Sequence, residues 1–381
     1  MRSHSPKTKR QRIVHLIHED GPGGGPYTVV KHITYYSHFF DLHILHGGSG
    51  RIAAACDELG IPHSRLEIDR LASATASLPL LHGLLLSLQP HLVILHGQWA
   101  GLYGALAARA AGLRNILYIA QWPSFYTDWD LPRCVRNWLT EGITCRLSRR
   151  IICLSHSNRI EFLQRFPFVR DKVQCMPNSI DVGETVTARQ IEDIRTEWGW
   201  DSRHCHLVSV GRLSDQKRLD WLLKAWAECR DLFGRARLWI VGDGPERSAL
   251  EKLAEDLQLG TSCRFLGQQP RGAPFVAAAD VVVFTSLYES FGNVALEAMN
   301  AGRPLIASDV PGIDATLENG VQGYRVPPGN IPALAEKMRL LVDNPTLREE
   351  FGKAGLQRVT AVSTPKVLPR YLDLVRAMTS K

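Results

Sequence analysis

The chain alternates, and it does so twice. Short runs of almost unbroken apolar residues, each ended by glycine or a polar turn, are separated by segments of helix length. In the first half Arg12–Glu19, Asp41–His46, His91–Gly97, Asn115–Gln121, Arg150–Ser155 and Lys172–Asp181 read as strand-bearing. Helices are expected from Tyr27 and over Arg51–Gly60, Leu78–Gln89, Ala100–Ala111, Arg133–Leu147 and Arg159–Phe166, with Gly60 closing the second and Ser157 capping the last. The pattern restarts with strands at His206–Leu213, Arg237–Gly244, Cys263–Gly267, Asp280–Ser286, Pro304–Asp309 and Gly323–Gly329, and helices at Arg218–Cys229, Arg247–Leu257 and Gly292–Asn300. A strand that is apolar at successive positions is buried on both faces, and a parallel sheet covered by helices on each side is what buries it. The pattern therefore predicts an α/β protein with two Rossmann-like domains facing each other. They are joined by the polar stretch Val182–Arg203, which itself holds a short amphipathic helix. In such sheets ligands bind beyond the carboxyl ends of the strands, and a cleft between two domains is the expected site.

Length agrees, since 381 residues suit two domains. Apolar residues at 45% and charged residues at 22% exclude a disordered chain, a coiled coil and a fibrous repeat. The net charge of +7 lies in the first half, where residues 1–190 hold 21 basic and 14 acidic side chains and 12 of the 14 histidines. Arg2, Lys7, Lys9, Arg10 and Arg12 crowd the first twelve residues. A basic half suits an anionic lipid, a phosphorylated substrate or nucleic acid, or is a solvated tail on a mildly basic domain. Nucleic acid is not expected, because aromatic-basic strand patterns are missing. The most apolar stretch, Leu78–Leu95, is interrupted by Pro79, His82, Gln89, Pro90 and His91, so no membrane span and no secretory signal are expected. The eight cysteines form no C-x-x-C pair and read as small buried hydrophobes in a reducing compartment. A cytoplasmic protein is expected, with room for peripheral contact at the inner face of the membrane.

Three motifs carry chemistry. After the strand ending near Thr285 comes SLYESFGNVALEAMNAG, in which Glu289 falls in a loop, Gly292 and Asn293 open a helix, and Glu297 lies one or two turns in. A carboxylate beside free backbone amides suits sugar hydroxyls and a phosphate together. In GRLSDQKR, Arg212 and Lys217 follow a strand end, where two cations would hold a diphosphate and stabilise its departure. In EDGPGGGP, Gly23, Gly24 and Gly25 let backbone approach a phosphate, but Pro26 stands where a dinucleotide fingerprint needs its third glycine.

Together these motifs, with VGDGPER, FLGQQPR, ADVVVFTSLYESFGNVALEAMNAGRPLIASDVPG, NGVQGYRVPPGN and MPNSID (Met176–Asp181), resemble the retaining glycosyltransferases of family 4, which have the GT-B fold. The resemblance runs from about Ile13 and is densest from Val208 to Pro328. It implies a basic tail over 1–12, expected to be disordered, an acceptor-binding domain over 13–185 and a nucleotide-sugar-binding domain over 186–364. A helix over 365–381 would pack back on the first domain. It also implies that Arg212 and Lys217 hold the donor diphosphate, that Glu289 meets the donor sugar and that Glu297 takes the ribose hydroxyls. Backbone amides around Phe291, Gly292, Asn293 and Val294 would contact sugar and phosphate. Gly267 to Arg271, with Gln268, would lie beside the base, and Gly24 and Gly25 would close over the phosphate. The donor would be a nucleotide-diphosphate sugar, with no other cofactor and no metal. The reaction would be hexosyl transfer with retention, in polysaccharide, glycolipid or glycosylated-metabolite synthesis.

This chain departs from the family at Gln121, where many members carry a histidine; His96, one strand earlier, is the nearby imidazole. Asp128-Trp129-Asp130 reads as D-x-D but follows an aromatic loop, so it is taken as a loop and not a metal site. Trp122 and Tyr126 of that loop, with His96 and Gln121, are the acceptor-side candidates. The stretch Arg133–Arg150 interleaves five arginines with apolar residues, as a helix on an anionic bilayer would, or a core helix with an arginine-rich outer face. A nucleotide-sugar epimerase of the same fold is the alternative reaction. A dinucleotide oxidoreductase needs an acid at the end of the second strand, whereas Asp41 stands at its start.

Overall fold

The structure is a computed structural model, and it describes residues 10–18, 20, 24–66, 68, 74–121, 131–183 and 186–380. It divides into two compact units. One comprises the described residues up to Leu154, Asn158–Met176 and the chain from Val367 onward; the other comprises Ser155–Ser157 and Pro177–Lys366.

The first unit is built on seven strands: β1 (Arg12–Ile17), β2 (Asp41–His46), β3 (His63–Arg65), β4 (Leu92–His96), β5 (Ile116–Ala120), β6 (Arg150–Cys153) and β7 (Val173–Cys175). They pair in parallel in the order β3-β2-β1-β4-β5-β6-β7. Every residue of β4 is buried, which is why its sequence is apolar without alternation. β3 escapes the apolar-run criterion because its three residues, His-Ser-Arg, form a short edge strand with no buried side chain. The C-terminal helix Thr364–Thr379 belongs to this unit from Val367, and Tyr371 Oη donates to the Met176 carbonyl at 2.9 Å.

The second unit has six parallel strands: β8 (Cys205–Val210), β9 (Ala236–Val241), β10 (Cys263–Gly267), β11 (Val281–Phe284), β12 (Leu305–Ser308) and β13 (Gly323–Val326). Their order is β10-β9-β8-β11-β12-β13. A core of Leu207, Leu222, Trp226, Ile240, Val283, Ile306 and Met338 packs one face of this sheet. The polar connector holds the helix Ala188–Trp198, which begins with a reciprocal cap between Thr187 and Gln190. A short helix, Ala273–Ala278, hides in the apolar run before β11 and carries no polar periodicity to reveal it. Gly60 closes the helix Arg51–Leu59 in the left-handed conformation, as its sequence position predicts.

Ser157 differs from expectation. It lies inside the helix His156–Arg165 and does not cap it, because its hydroxyl is engaged elsewhere: Oγ donates to Asp314 Oδ1 at 2.5 Å and accepts from the Gly312 amide at 2.9 Å. Among the described residues no helix is long and apolar enough to cross a membrane. The eight cysteines are free.

Candidate functional site

In both sheets the strand order reverses beside the first strand of the unit, between β1 and β4 and between β8 and β11. Connections on the two sides of such a point leave in opposite directions, which opens a crevice at the carboxyl edge of the sheet. The loops after β8 and β11 are the ones singled out by sequence.

In the second unit these loops are tied together. The segment after β8 turns through the short helix Asp215–Lys217, and the loop after β11 runs back along it. Gln216 Nε2 donates to the Tyr288 carbonyl at 2.9 Å, and the Leu287 amide donates to the Gln216 carbonyl at 2.8 Å. The buried Thr285 hydroxyl bonds to the carbonyls of Lys217 and Arg218, each at 2.9 Å. This lacing brings Lys217 Nζ to 2.6 Å from Glu289 Oε1 across 72 positions of sequence, and Ser286 Oγ donates to the same oxygen at 2.8 Å. Both side chains are mostly buried, at 24% and 15% exposure, so the pair is shielded more than a surface salt bridge. Arg212 is exposed and makes no hydrogen bond or ion pair among the described residues, leaving its guanidinium available to an anion.

Gly292 then turns the chain into the helix Asn293–Asn300 with φ +74° and no side-chain cap. A Cβ there would stand 2.8 Å from Ile313 Cδ1, in a backbone region that L residues avoid. Uncapped first-turn amides and the positive end of the helix dipole lie directly after Glu289. Phe291 is buried beneath them, Asn293 and Val294 are half-buried, and Glu297 sits one turn into the helix.

Sequence reasoning missed two supports. Asn178, from the MPNSID turn, is buried and donates through Nδ2 to Asn293 Oδ1 at 3.0 Å, which fixes the start of the helix. Gly312, at φ +98°, packs so closely on the Glu289 loop that a Cβ would lie 2.3 Å from the Glu289 carbonyl oxygen. Both stood in quoted motifs, Asn178 in MPNSID and Gly312 at the end of SDVPG, but neither was assigned a role.

Gly267 and Gln268 stand at the end of β10, farther along the same edge, with Gly267 at φ +69° facing the Arg247 guanidinium. Arg247 bridges Asp243 and Glu251, each at 2.9 Å. The Gly244 amide, then Arg247, hold the Asp243 carboxyl below its usual pKa.

In the first unit the groups described where β4 and β5 end are uncharged, while beyond β1 the buried Asp20 carboxyl accepts from the amides of Gly50, Ile52 and Ala53 at 2.7, 2.6 and 3.1 Å. His96, at the end of β4, is wholly buried. Its Nδ1 lies 3.2 Å from Gln121 Nε2 and its Nε2 lies 3.1 Å from His15 Nδ1. An amide nitrogen only donates, so with the amide in this orientation His96 accepts at Nδ1 and donates from Nε2–H to His15. His15 then carries its proton on Nε2, which has no partner among the described residues. Burial drives His96 well below the ordinary histidine value, His15 to about 3 and His32 to about 4. Gly25, in the first turn of the helix Gly24–Tyr36, sits close enough to Gln121 that a Cβ would stand 3.3 Å from Oε1. Gly24, Gly25, His96 and Gln121 are thus one cluster, whereas Trp122, Tyr126 and the Asp128–Asp130 loop lie outside the described residues. Asp41 is paired with Arg12 at 2.7 Å at the opposite edge of the sheet, where no dinucleotide ribose would reach it. Among the described residues no group of three or more His, Cys, Asp or Glu could hold a metal ion.

Known proteins share this architecture. The family model described as Glycosyltransferase Family 4 matches residues 40–184, and that described as Glycosyl transferases group 1 matches residues 190–358. The alpha-D-kanosaminyltransferase of Streptomyces kanamyceticus is 34% identical over 264 residues, covering 67% of this chain and 68% of that enzyme. LpsD, a lipopolysaccharide core biosynthesis glycosyltransferase of Rhizobium meliloti, is 36% identical over 169 residues, 44% of this chain. The match spans about half of LpsD, 48% of its length. The crystal structure of Anabaena HepE in complex with UDP and glucose superposes with a TM-score of 0.83 at 19% identity, covering 96% of this chain and 99% of HepE, which shows the same fold. The two units are the two Rossmann-like halves of a GT-B fold, and the chain belongs to the group 1 glycosyltransferases.

Proposed function

We propose that the protein transfers a sugar from a nucleoside-diphosphate sugar to an acceptor hydroxyl and retains the anomeric configuration. The observation that carries this reading is the second unit's carboxyl edge, where the Lys217–Glu289 pair, the exposed Arg212 and an uncapped helix start share one pair of loops. Arg212 and Lys217 would hold the diphosphate. The amides of Phe291, Gly292, Asn293 and Val294 would face its oxygens and the sugar. Glu289 would accept from sugar hydroxyls, Glu297 from the ribose, and Gly267 with Gln268 would lie against the base. As the bond from sugar to phosphate lengthens, negative charge grows on the diphosphate, and cations already in place stabilise it without reorganising. The same cations supply what a divalent ion supplies elsewhere, so no metal is needed in this reading.

The first unit would take the acceptor. Gly24 and Gly25 would approach the donor phosphate, and His96 with Gln121 would offer neutral hydrogen bonding to hydroxyls, beside Trp122 and Tyr126. HepE was solved with UDP and LpsD is named for lipopolysaccharide core synthesis, which favours a uridine nucleotide and a glycan or lipid-linked acceptor here. Free cysteines throughout fit a reducing compartment, so the reading places the enzyme in the cytoplasm or at the inner face of the membrane.

The test is transfer from UDP-sugars by purified Glu289→Ala. A fall of about 10²-fold or more with the fold retained is expected, the scale seen when one electrostatic contact to a transition state is removed. Normal transfer by this variant removes the site assignment, and donor turnover without any acceptor points instead to an epimerase.

A further inference from the structure

The helix Leu131–Leu147 is built inside out. Asn137, Thr140, Glu141 and Thr144 face inward and are buried, whereas Leu131, Val135, Trp138, Leu139 and Ile143 face solvent, Leu131 at 75% exposure. At about 3.6 residues per turn these five apolar side chains fall within an arc of about 140°. The inward threonines are hydrogen-bonded. Gln98 Nε2 donates to Thr140 Oγ1 at 2.9 Å, Thr140 Oγ1 donates to the Asn137 carbonyl at 3.0 Å, and Thr144 Oγ1 donates to the Thr140 carbonyl at 2.9 Å. Rolling the helix to bury its apolar stripe would break the Gln98 bond and strand Glu141 in a new place, so the fold holds the stripe outward. Phe168 extends it: this ring is 56% exposed and meets Phe166 edge-on, and Phe166 stacks on Trp138.

The exposed charge on this helix is basic. Arg133, Arg136 and Arg146 are exposed on the same helix, and its one acidic residue, Glu141, is buried. Lys172 donates to the carbonyls of Arg146 and Ser148 at the helix end, at 3.1 and 3.0 Å, and Arg149 is exposed just beyond. Soluble surfaces seldom set a row of leucine, valine, tryptophan and isoleucine in water.

We infer that this face lies on an anionic phospholipid bilayer. Leu131, Val135, Trp138, Leu139 and Ile143 enter the boundary between headgroups and acyl chains, and Arg136 and Arg146 meet lipid phosphates. The helix lies in the plane of the surface and does not cross it. Docking gives a location to the lipid-linked acceptor of the reading above, and only that last step rests on it; binding itself is independent of transfer and is measured without it.

The experiment is co-sedimentation of the full chain with vesicles of phosphatidylcholine alone and of phosphatidylcholine mixed equally with phosphatidylglycerol. The wild type is expected to bind the mixed vesicles, and less so as salt is raised. Val135→Asp combined with Leu139→Asp should lower that binding about tenfold or more. Arg136→Glu combined with Arg146→Glu should abolish the preference for the anionic vesicles. All four positions are exposed, so thermal unfolding should be unchanged. Equal binding by both double variants and the wild type overturns the inference, as does equal binding of the wild type to both vesicle types. A wild-type dimer that the aspartate variant converts to monomer, without vesicle binding, overturns it in favour of a second copy of the chain.

Discussion

The two units share a strand order around their first strands, yet they furnish the carboxyl edge of the sheet in opposite ways. The second unit places an ammonium, a carboxylate, an exposed guanidinium and an uncapped helix there. Where β4 and β5 end, the first places the buried imidazole of His96, stacked on His15 and kept neutral by burial, beside the Gln121 amide. Topology thus supplies a crevice twice and leaves its chemistry open. A charged edge suits a ligand that brings and then increases negative charge. A neutral one suits hydrogen bonding to hydroxyls.

Matched truncations should separate the two edges most widely. Lys217→Ala is expected to cut turnover by about 10²–10³-fold while costing about 1 kcal/mol of stability, because the pair it breaks is partly open to solvent. His96→Ala removes a fully buried ring and strands its partners, so it should cost about 2–4 kcal/mol of stability. Initial rates and denaturant unfolding on the two variants check the contrast, and the reverse pattern would break it.

Acid should sharpen the same contrast by a smaller amount. His15 and His32 bind protons in the unfolded chain below about 6.5 but in the fold only near 3 and 4. Between those values the folded state holds fewer protons than the unfolded state. Stability is therefore complete above about pH 6.5 and is lost as pH falls through the window, by on the order of 2–3 kcal/mol for each ring at pH 4.5. His206 is the one comparably buried histidine described in the second unit. Hydrogen exchange at pH 7 and at pH 5 should show β1, β4 and β5 losing protection more than β8, β9 and β11; equal losses would deny the difference.

How much of this the sequence held depends on range. Leu92–His96 and Val281–Phe284 are strands inside the apolar runs that mark them, because burial on both faces writes itself directly into composition. β3 and the helix Ala273–Ala278 leave no such trace, one being a polar edge and the other apolar on every side. Glu289 and Lys217 are each legible in their own motifs as groups at strand ends, but their pairing is not, since it depends on lacing between two loops. Gly312 and the hydroxyl of Ser157 act across 155 positions, and no local pattern announces that. The helix Leu131–Leu147 was legible as a helix, but which of its faces is buried depends on Gln98 in another helix.

Calorimetric titration with UDP and with UMP, on the wild type and on Arg212→Ala, tests the central claim most directly. The account predicts that the wild type binds the diphosphate more tightly than the monophosphate and that the variant binds UDP about 10–100-fold more weakly, with little change for UMP. Equal affinity of the two proteins for UDP would contradict it.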